Sequence, residues 1–348
     1  MANERSPRIG LAQVAQRAGV STMTASYAYN RPERVSAESR RRVFAAAEEL
    51  GYPGPDPAAR SLRRGVAGAL GVVLGEHLTY AFEDPQAAAF LAGVAEVCAA
   101  GGNGMMILPV VDSTEDVRRV TAAAVDGFVI WTTFDDSPIV RAALATGRPV
   151  VVHGGPAMDG ALLVGIDNRA AARAVGRVVF ESAARPAVLS FPITGRREAY
   201  VASGPDPEDA TFPVTRDRLL GYRDAAEDLG LAWRDVRVAI CSVNSASEAR
   251  ARADELLDGG AVDAVAAMGD ELAVGALGAL HARGMRVPDQ VAISGWDDAR
   301  TAADHDLTTV AQSLRDQGAA CARAVLTGER RDFADSWRIV RRGSTRGS

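Results

Sequence analysis

The sequence reads as a small all-α helix-turn-helix head joined to a larger α/β body built from two doubly wound lobes. Three observations lead there. Between Ile9 and Asn30 the apolar residues fall at helical spacing and are interrupted by a single glycine. From Gly68 onward short apolar runs alternate with helical segments in two successive series. The charge also changes sign along the chain. Residues 1–64 carry 11 Arg against 6 acids, giving +5, whereas the remaining 284 residues carry 28 Arg against 38 acids, giving −10.

In the head, Leu11, Val14, Ala15 and Ala18 form one stripe that must face a core. Gly19 breaks the helix, since glycine reaches the left-handed conformation without a Cβ penalty. Ser21 is placed to cap a second helix from Thr22 to about Tyr29. Two short helices around a glycine turn make a helix-turn-helix, or else an ordinary helical hairpin. The loop at Arg31–Arg34 follows, then a third helix from Ser36 to about Leu50, with Val43, Phe44, Ala47 and Leu50 expected inside. Arg40, Arg41 and Arg42 near its start suit either solvent or a phosphate backbone. After Gly51 comes a non-helical connector, and Asp56-Pro57 begins a piece too short to be a stable helix alone.

In the body, ALGVVL (69–74), MMILP (105–109), GFVIW (127–131) and PVVV (149–152) read as buried parallel strands. Helices are expected between them at about 86–100, 114–124 and 137–146, the second with Ser113 and Asp116 as a capping-box variant. The second series has strands at 187–192, 236–241, 261–268 and 291–296. Its helices lie near 169–181, 216–229, 247–258 and 271–283. Residues 193–215, rich in Gly, Pro and acids, read as a long and mobile loop. Ligands of such lobes meet the carboxyl ends of the strands.

Composition narrows the class. At 348 residues, 47% hydrophobic and 24% charged, the chain can bury a sizeable core without staples. Cys98, Cys241 and Cys321 are far apart and lack metal-ligand spacing, which fits a reducing cytoplasm. No apolar run near the N-terminus suggests a secretory signal, and no stretch is long enough to span a membrane. All 39 basic residues are arginine. A basic head on an acidic body suggests that the head meets a polyanion, which favours a DNA-binding helix-turn-helix over a plain hairpin.

Taken together, these segments resemble the LacI/GalR (lactose-repressor) family of bacterial transcription regulators. The resemblance rests on VAQRAGVS (14–21), Thr24, Ser26, Asn30, Val35-Ser36 and LGY (50–52) in the head, and on AARSL (58–62) as a hinge. In the body it rests on Asp167-Asn168, RLLGY (218–222), residues 269–298, LTTV (307–310) and RGST (342–345). It implies a homodimeric repressor or activator whose body has the type I periplasmic-binding-protein fold. A small effector between the lobes, most simply a sugar, would control binding to a near-palindromic operator. The corresponding organisation is 1–54 for the DNA-binding domain, 55–66 for the hinge and 67–348 for effector binding and dimerisation. The chain ends soon after RGST without a heptad tail, which favours a dimer over a tetramer.

Thr22, Met23, Ser26 and Tyr27 are the outward positions of the second helix, and the resemblance implies that Thr22, Met23 and Tyr27 read bases. Tyr27 stands where the family often has arginine, so the bidentate contact to guanine is unavailable. Ser21, Ser26 and Asn30 are phosphate-ligand candidates. The resemblance further implies that Leu62 of each subunit wedges into the central minor groove, while Ala58 and Ala59 let two hinge helices approach. For the effector, Arg218 aligns with a family arginine that reaches hydroxyls or a carboxylate, and Asp297 with an acid that accepts from hydroxyls. Asp270 lies at another strand end, and Phe82, Trp131, His153 and Asn244 are further candidates in or just after strands. Asp298 is a candidate for fixing the loop backbone instead. An enzyme and a free-standing sugar receptor are the competing readings. The scattered histidines (His77, His153, His281, His305), the lack of any nucleophile elbow, phosphate loop or dinucleotide fingerprint, and the basic head weigh against them. No cofactor or metal is expected.

Overall fold

The computed structural model describes residues 9–54, 65–75, 84–110 and 114–347. The chain divides after Ala67 into two compact units. The sequence candidates Ala58, Leu62 and Phe82, the Asp56-Pro57 helix start and the Ser113 cap lie outside the described residues.

The first unit is a three-helix head. Helix α1 (Leu11–Ala18) ends at Gly19, whose φ of 64° is the left-handed value a side chain resists. A Cβ there would also displace the Arg42 guanidinium from its place beside the turn. Helix α2 (Thr22–Asn30) starts at Ser21, whose hydroxyl accepts from the Thr24 N–H at 3.0 Å. Helix α3 (Ala37–Glu49) starts at Ser36, which caps the Ser39 N–H in the same way. The buried core is Val14, Ala15, Ala18, Ala25, Ala28, Val43, Ala46 and Ala47. Six of these eight are alanine, so the helices sit close together over little apolar area.

Two expectations about the head need correction. Phe44 is 37% exposed rather than buried, because Ala46 and Ala47 occupy the inner face of α3. Its ring instead meets Tyr29 edge-on at 5.0 Å, with the Arg40 guanidinium 5.5 Å from its centre. Arg42 is not a free cation, since its guanidinium donates to the Ala18 and Gly19 carbonyls and ties α3 to the turn.

The second unit carries two sheets. In lobe 1, β1 (Ala69–Leu74), β2 (Gly104–Pro109), β3 (Phe128–Trp131), β4 (Val150–His153) and β5 (Ala161–Val164) pair in the order β2-β1-β3-β4-β5, all parallel. Helices α4 (Pro85–Ala100), α5 (Thr114–Ala122) and α6 (Pro138–Ala145) connect them. Lobe 2 contains α7 (Asn168–Val179), β6 (Pro186–Ser190), β7 (Tyr200–Ser203), α8 (Pro213–Asp228) and β8 (Arg237–Ile240). It continues with α9 (Ala246–Asp258), β9 (Ala264–Ala267), α10 (Asp270–Ala282) and β10 (Ala292–Ser294). Its sheet runs β10-β9-β6-β8-β7, with β7 alone antiparallel. The short α11 (Arg300–Asp304) leads to β11 (Thr309–Ala311), which pairs antiparallel with β12 (Arg338–Val340).

Residues 193–215 are more than a loop. They contain β7, a one-turn helix at Pro207–Asp209 and the start of α8, and the Thr211 N–H closes back on the Ile193 carbonyl at 2.9 Å. A further helix, α12 (Leu314–Thr327), was not anticipated. It follows lobe 2 in sequence but packs on α4 of lobe 1, so the chain passes between the lobes three times.

Candidate ligand cleft and nucleic-acid interface

Both lobes present the carboxyl ends of their strands to a shared cleft, which encloses about 940 Å³ of empty space including its mouth. Trp131 ends β3 and His153 ends β4, and both line the cavity. Across from them stand Arg218 on α8, Asn244 in the turn after β8, and Asp297 after β10. Of the seven effector candidates the structure therefore brings five together. Asp270 is the exception among the described residues. It is buried behind the wall, where its carboxylate accepts from the Ala299 N–H at 2.7 Å and the Thr309 hydroxyl at 2.8 Å. It secures the turn after β10 from within.

Arg218 is only 5% exposed and needs compensation for its lost hydration. Its Nε donates to Asn168 Oδ1 at 2.9 Å, Nη1 donates to the Met268 carbonyl, and the guanidinium lies 3.8 Å from the centre of the Trp296 ring. Burial pulls its pKa down to about 10, while the negative charge of Asp297 resists that shift, so it stays cationic at neutral pH. Burial pushes the half-buried Asp297 up to about 6, opposed by Arg218 and by a hydrogen bond from Gln312. Asp297, three residues beyond β10, sits at φ 103°, a positive value that side chains rarely adopt. Asp298 beside it, at φ 54°, pairs through its carboxylate with the Arg342 guanidinium at 2.7 Å, a side-chain contact rather than one to the loop backbone.

The cleft floor is a continuous line of polar side chains. Gln312 Nε2 donates to Asp297 Oδ1 at 2.7 Å, Gln317 Nε2 donates to Gln312 Oε1 at 3.1 Å, and Gln317 Oε1 meets His153 Nε2 at 2.9 Å. His153 stacks on Trp131 with ring centres 5.0 Å apart. Burial lowers its pKa to about 4, outweighing the Gln317 hydrogen bond. The rims are latched. On one side Asn244 Nδ2 donates to Asp84 Oδ2 at 2.7 Å. On the other, the Asp135 N–H donates to the Thr211 carbonyl at 2.9 Å and its carboxylate pairs with Arg216. The lobes are thus in contact on both sides of the cavity.

Asp84, Asn168, Gln312 and Gln317 escaped the sequence reading. Asp84 caps α4, accepting from the Gln86 and Ala87 N–H groups at 2.8 Å each. An acid followed by Pro85 could have announced it as a cap, though not as a rim residue. Asn168 belongs to a quoted motif to which no side-chain role had been attached.

In the head, Met23 is 63% exposed and Thr22 is exposed, whereas Ser26 and Tyr27 are half-buried. Ser21 is engaged as a cap and Asn30 Nδ2 donates to the Ser26 carbonyl at 3.0 Å, so both are ordered by their own helix. Met23 takes no part in the seam, which Ala25 and Ala28 supply.

Residues 10–54 match the family described as bacterial regulatory proteins, lacI family, and residues 195–345 match a periplasmic binding protein-like domain. An HTH-type transcriptional regulator of Mycolicibacterium smegmatis is 37% identical over 322 residues, covering 89% of this chain and 88% of the relative. The chain belongs to the LacI family of transcriptional regulators. Among solved structures, a LacI-family regulator from Corynebacterium glutamicum is 30% identical with a TM-score of 0.71, covering 96% of this chain and 97% of its own. The transcriptional regulator CelR in complex with cellobiose is 26% identical with a TM-score of 0.65, covering 97% and 100%. This LacI-family chain is a DNA-binding regulator with a helix-turn-helix head and a two-lobed body, as the sequence resemblance implied. Among the described residues no helix is long and apolar enough to cross a membrane.

Proposed function

We propose that this regulator acts as a cytoplasmic homodimeric repressor whose affinity for a near-palindromic operator is set by a small polar effector, a sugar or sugar derivative, held in the cleft between its lobes. The carrying observation is the cleft itself. Arg218 and Asp297 face one cavity at the carboxyl ends of two sheets, with the stacked Trp131 and His153 rings in its wall. Charged and amide groups beside an aromatic face suit a polyhydroxylated ligand, and the cellobiose complex of a similar protein supports that class. Thr22, Met23, Ser26 and Tyr27 are proposed to meet the operator, with Ser21 and Asn30 near its phosphates and Leu62 and Ala58 contributing from the hinge. One head offers few base contacts, so useful affinity calls for two at fixed spacing. The cleft is read as a binding site without catalysis, since its titratable groups are held by structural partners rather than poised around a nucleophile.

The test joins ligand and DNA. Sugars are screened for thermal stabilisation of the full chain, and any that stabilises it is added to an operator-binding titration. The expectation is a shift in operator affinity that Arg218→Ala abolishes while leaving binding to the operator itself intact. Sugars that neither stabilise the protein nor alter DNA binding would remove the effector assignment. Loss of DNA binding in the variant would make Arg218 a structural residue instead.

A further inference from the structure

The floor line has a direction, and that direction constrains the ligand. With Asp297 ionised, Gln312 must turn its amide nitrogen to the carboxylate and its oxygen to Gln317. Gln317 then donates to Gln312 and has only its carbonyl oxygen left for His153. The imidazole must therefore carry its proton on Nε2, leaving Nδ1 as a bare lone pair. Nδ1 is buried and has no hydrogen-bond partner among the described residues. His153 lines the cavity, is 7% exposed, and is fixed by stacking on Trp131. One other cavity-lining residue has an orphaned buried atom among the described residues, namely Asn244 Oδ1, which is also an acceptor. Arg218, the cation an acid would seek, already spends Nε and Nη1 on Asn168 and Met268. Both orphaned atoms among the described cavity-lining residues are thus acceptors.

We propose that His153 is a specificity-determining residue whose Nδ1 accepts a hydrogen bond from the effector, so that the effector must present a hydroxyl or amine donor at the end of β4. An effector that placed a carboxylate or phosphate oxygen there would set lone pair against lone pair. This inference rests on the effector reading of the cleft and narrows it to sugars that present a donor at that position, with an acidic group disfavoured there.

The experiment uses the full chain and a panel of mono- and disaccharides with their amino, carboxylate and phosphate derivatives, ranked by thermal stabilisation. The strongest binder is then titrated calorimetrically into the wild type, His153→Gln and His153→Asn. Glutamine can keep the contact to Gln317 but offers nothing at Nδ1, whereas asparagine can set its amide oxygen near the Nδ1 position. Binding is expected from neutral or amino sugars, with about a tenfold loss in His153→Gln and a smaller loss in His153→Asn. One deoxy analogue of that binder should lose affinity for the wild type and lose nothing further in His153→Gln. Melting of the unliganded variants separates a folding defect from a binding one, and the analogue comparison does not depend on their stability. Binding confined to acidic derivatives, or unchanged affinity in His153→Gln, overturns the inference and leaves the effector reading standing. Binding by no member of the panel overturns both.

Discussion

Arg218 and Asp270 are buried charges handled in opposite ways. Arg218 keeps its charge because an amide oxygen, a carbonyl and an indole face replace water around it. Asp270 is pushed up to about 7 by burial and by the charge of Asp297, although the Ala299 N–H and the Thr309 hydroxyl pull it down. In the unfolded chain a carboxyl of this kind ionises near 3.9. Between about pH 4 and pH 7 the folded protein therefore holds a proton that the unfolded chain has released. Its stability falls as pH rises through that window and levels off above it. Asp270→Asn should flatten this slope, since the amide oxygen can accept from Ala299 and the amide nitrogen can donate to Thr309. Denaturant midpoints at pH 5 and pH 8 are expected to show the wild type losing about 1–3 kcal/mol more than the variant. An identical slope in both would assign the titration to another group.

At the scale of elements, close approach between helices determines where side chains reach. Helices α4 and α12 touch through Gly93 and Gly318, where a Cβ on either glycine would overlap backbone of the opposite helix. Gln317 precedes Gly318, so this contact places the amide that meets His153. Gly318→Ala is expected to push α12 outward, costing about 1–3 kcal/mol as overpacking and weakening ligand binding through Gln317. A denaturant midpoint and a calorimetric titration measure the two effects, and a stability loss with unchanged affinity would uncouple α12 from the cleft. The same geometry explains what the sequence disclosed. Trp131, His153 and Asn244 were legible because apolar runs locate strands and parallel sheets put ligand sites at strand ends, whereas Arg218 and Asp297 were legible through the family resemblance. Gln312 and Gln317 were not, since no local pattern says that a helix after lobe 2 returns to lobe 1. Phe44 was misplaced because the helical spacing of α3 admits an inner face of Val43, Ala46 and Ala47 equally well.

At the scale of the whole molecule, a basic head on an acidic body suits DNA binding. The head's arginines are not all available for phosphates. Arg17 pairs with Glu49 at 2.6 Å and Arg42 holds the turn carbonyls, while Arg31, Arg34 and Arg41 make no ion pair among the described residues. Operator affinity should therefore fall steeply with salt, because each neutralised phosphate releases counterions. If two heads together make about 6–10 phosphate contacts, the loss between ~50 and ~200 mM salt is on the order of a thousandfold or more. Arg41→Ala should weaken binding to any sequence and reduce the slope by about one unit for each head. Arg42→Ala should act differently, because it loosens the turn between α1 and α2 and so lowers the melting temperature of the head as well. Fluorescence anisotropy with operator and scrambled duplexes across a salt series distinguishes these outcomes. A flat salt response with the operator would exclude phosphate contact as the role of the basic head. Equal slopes for the wild type and Arg41→Ala would exclude that arginine alone.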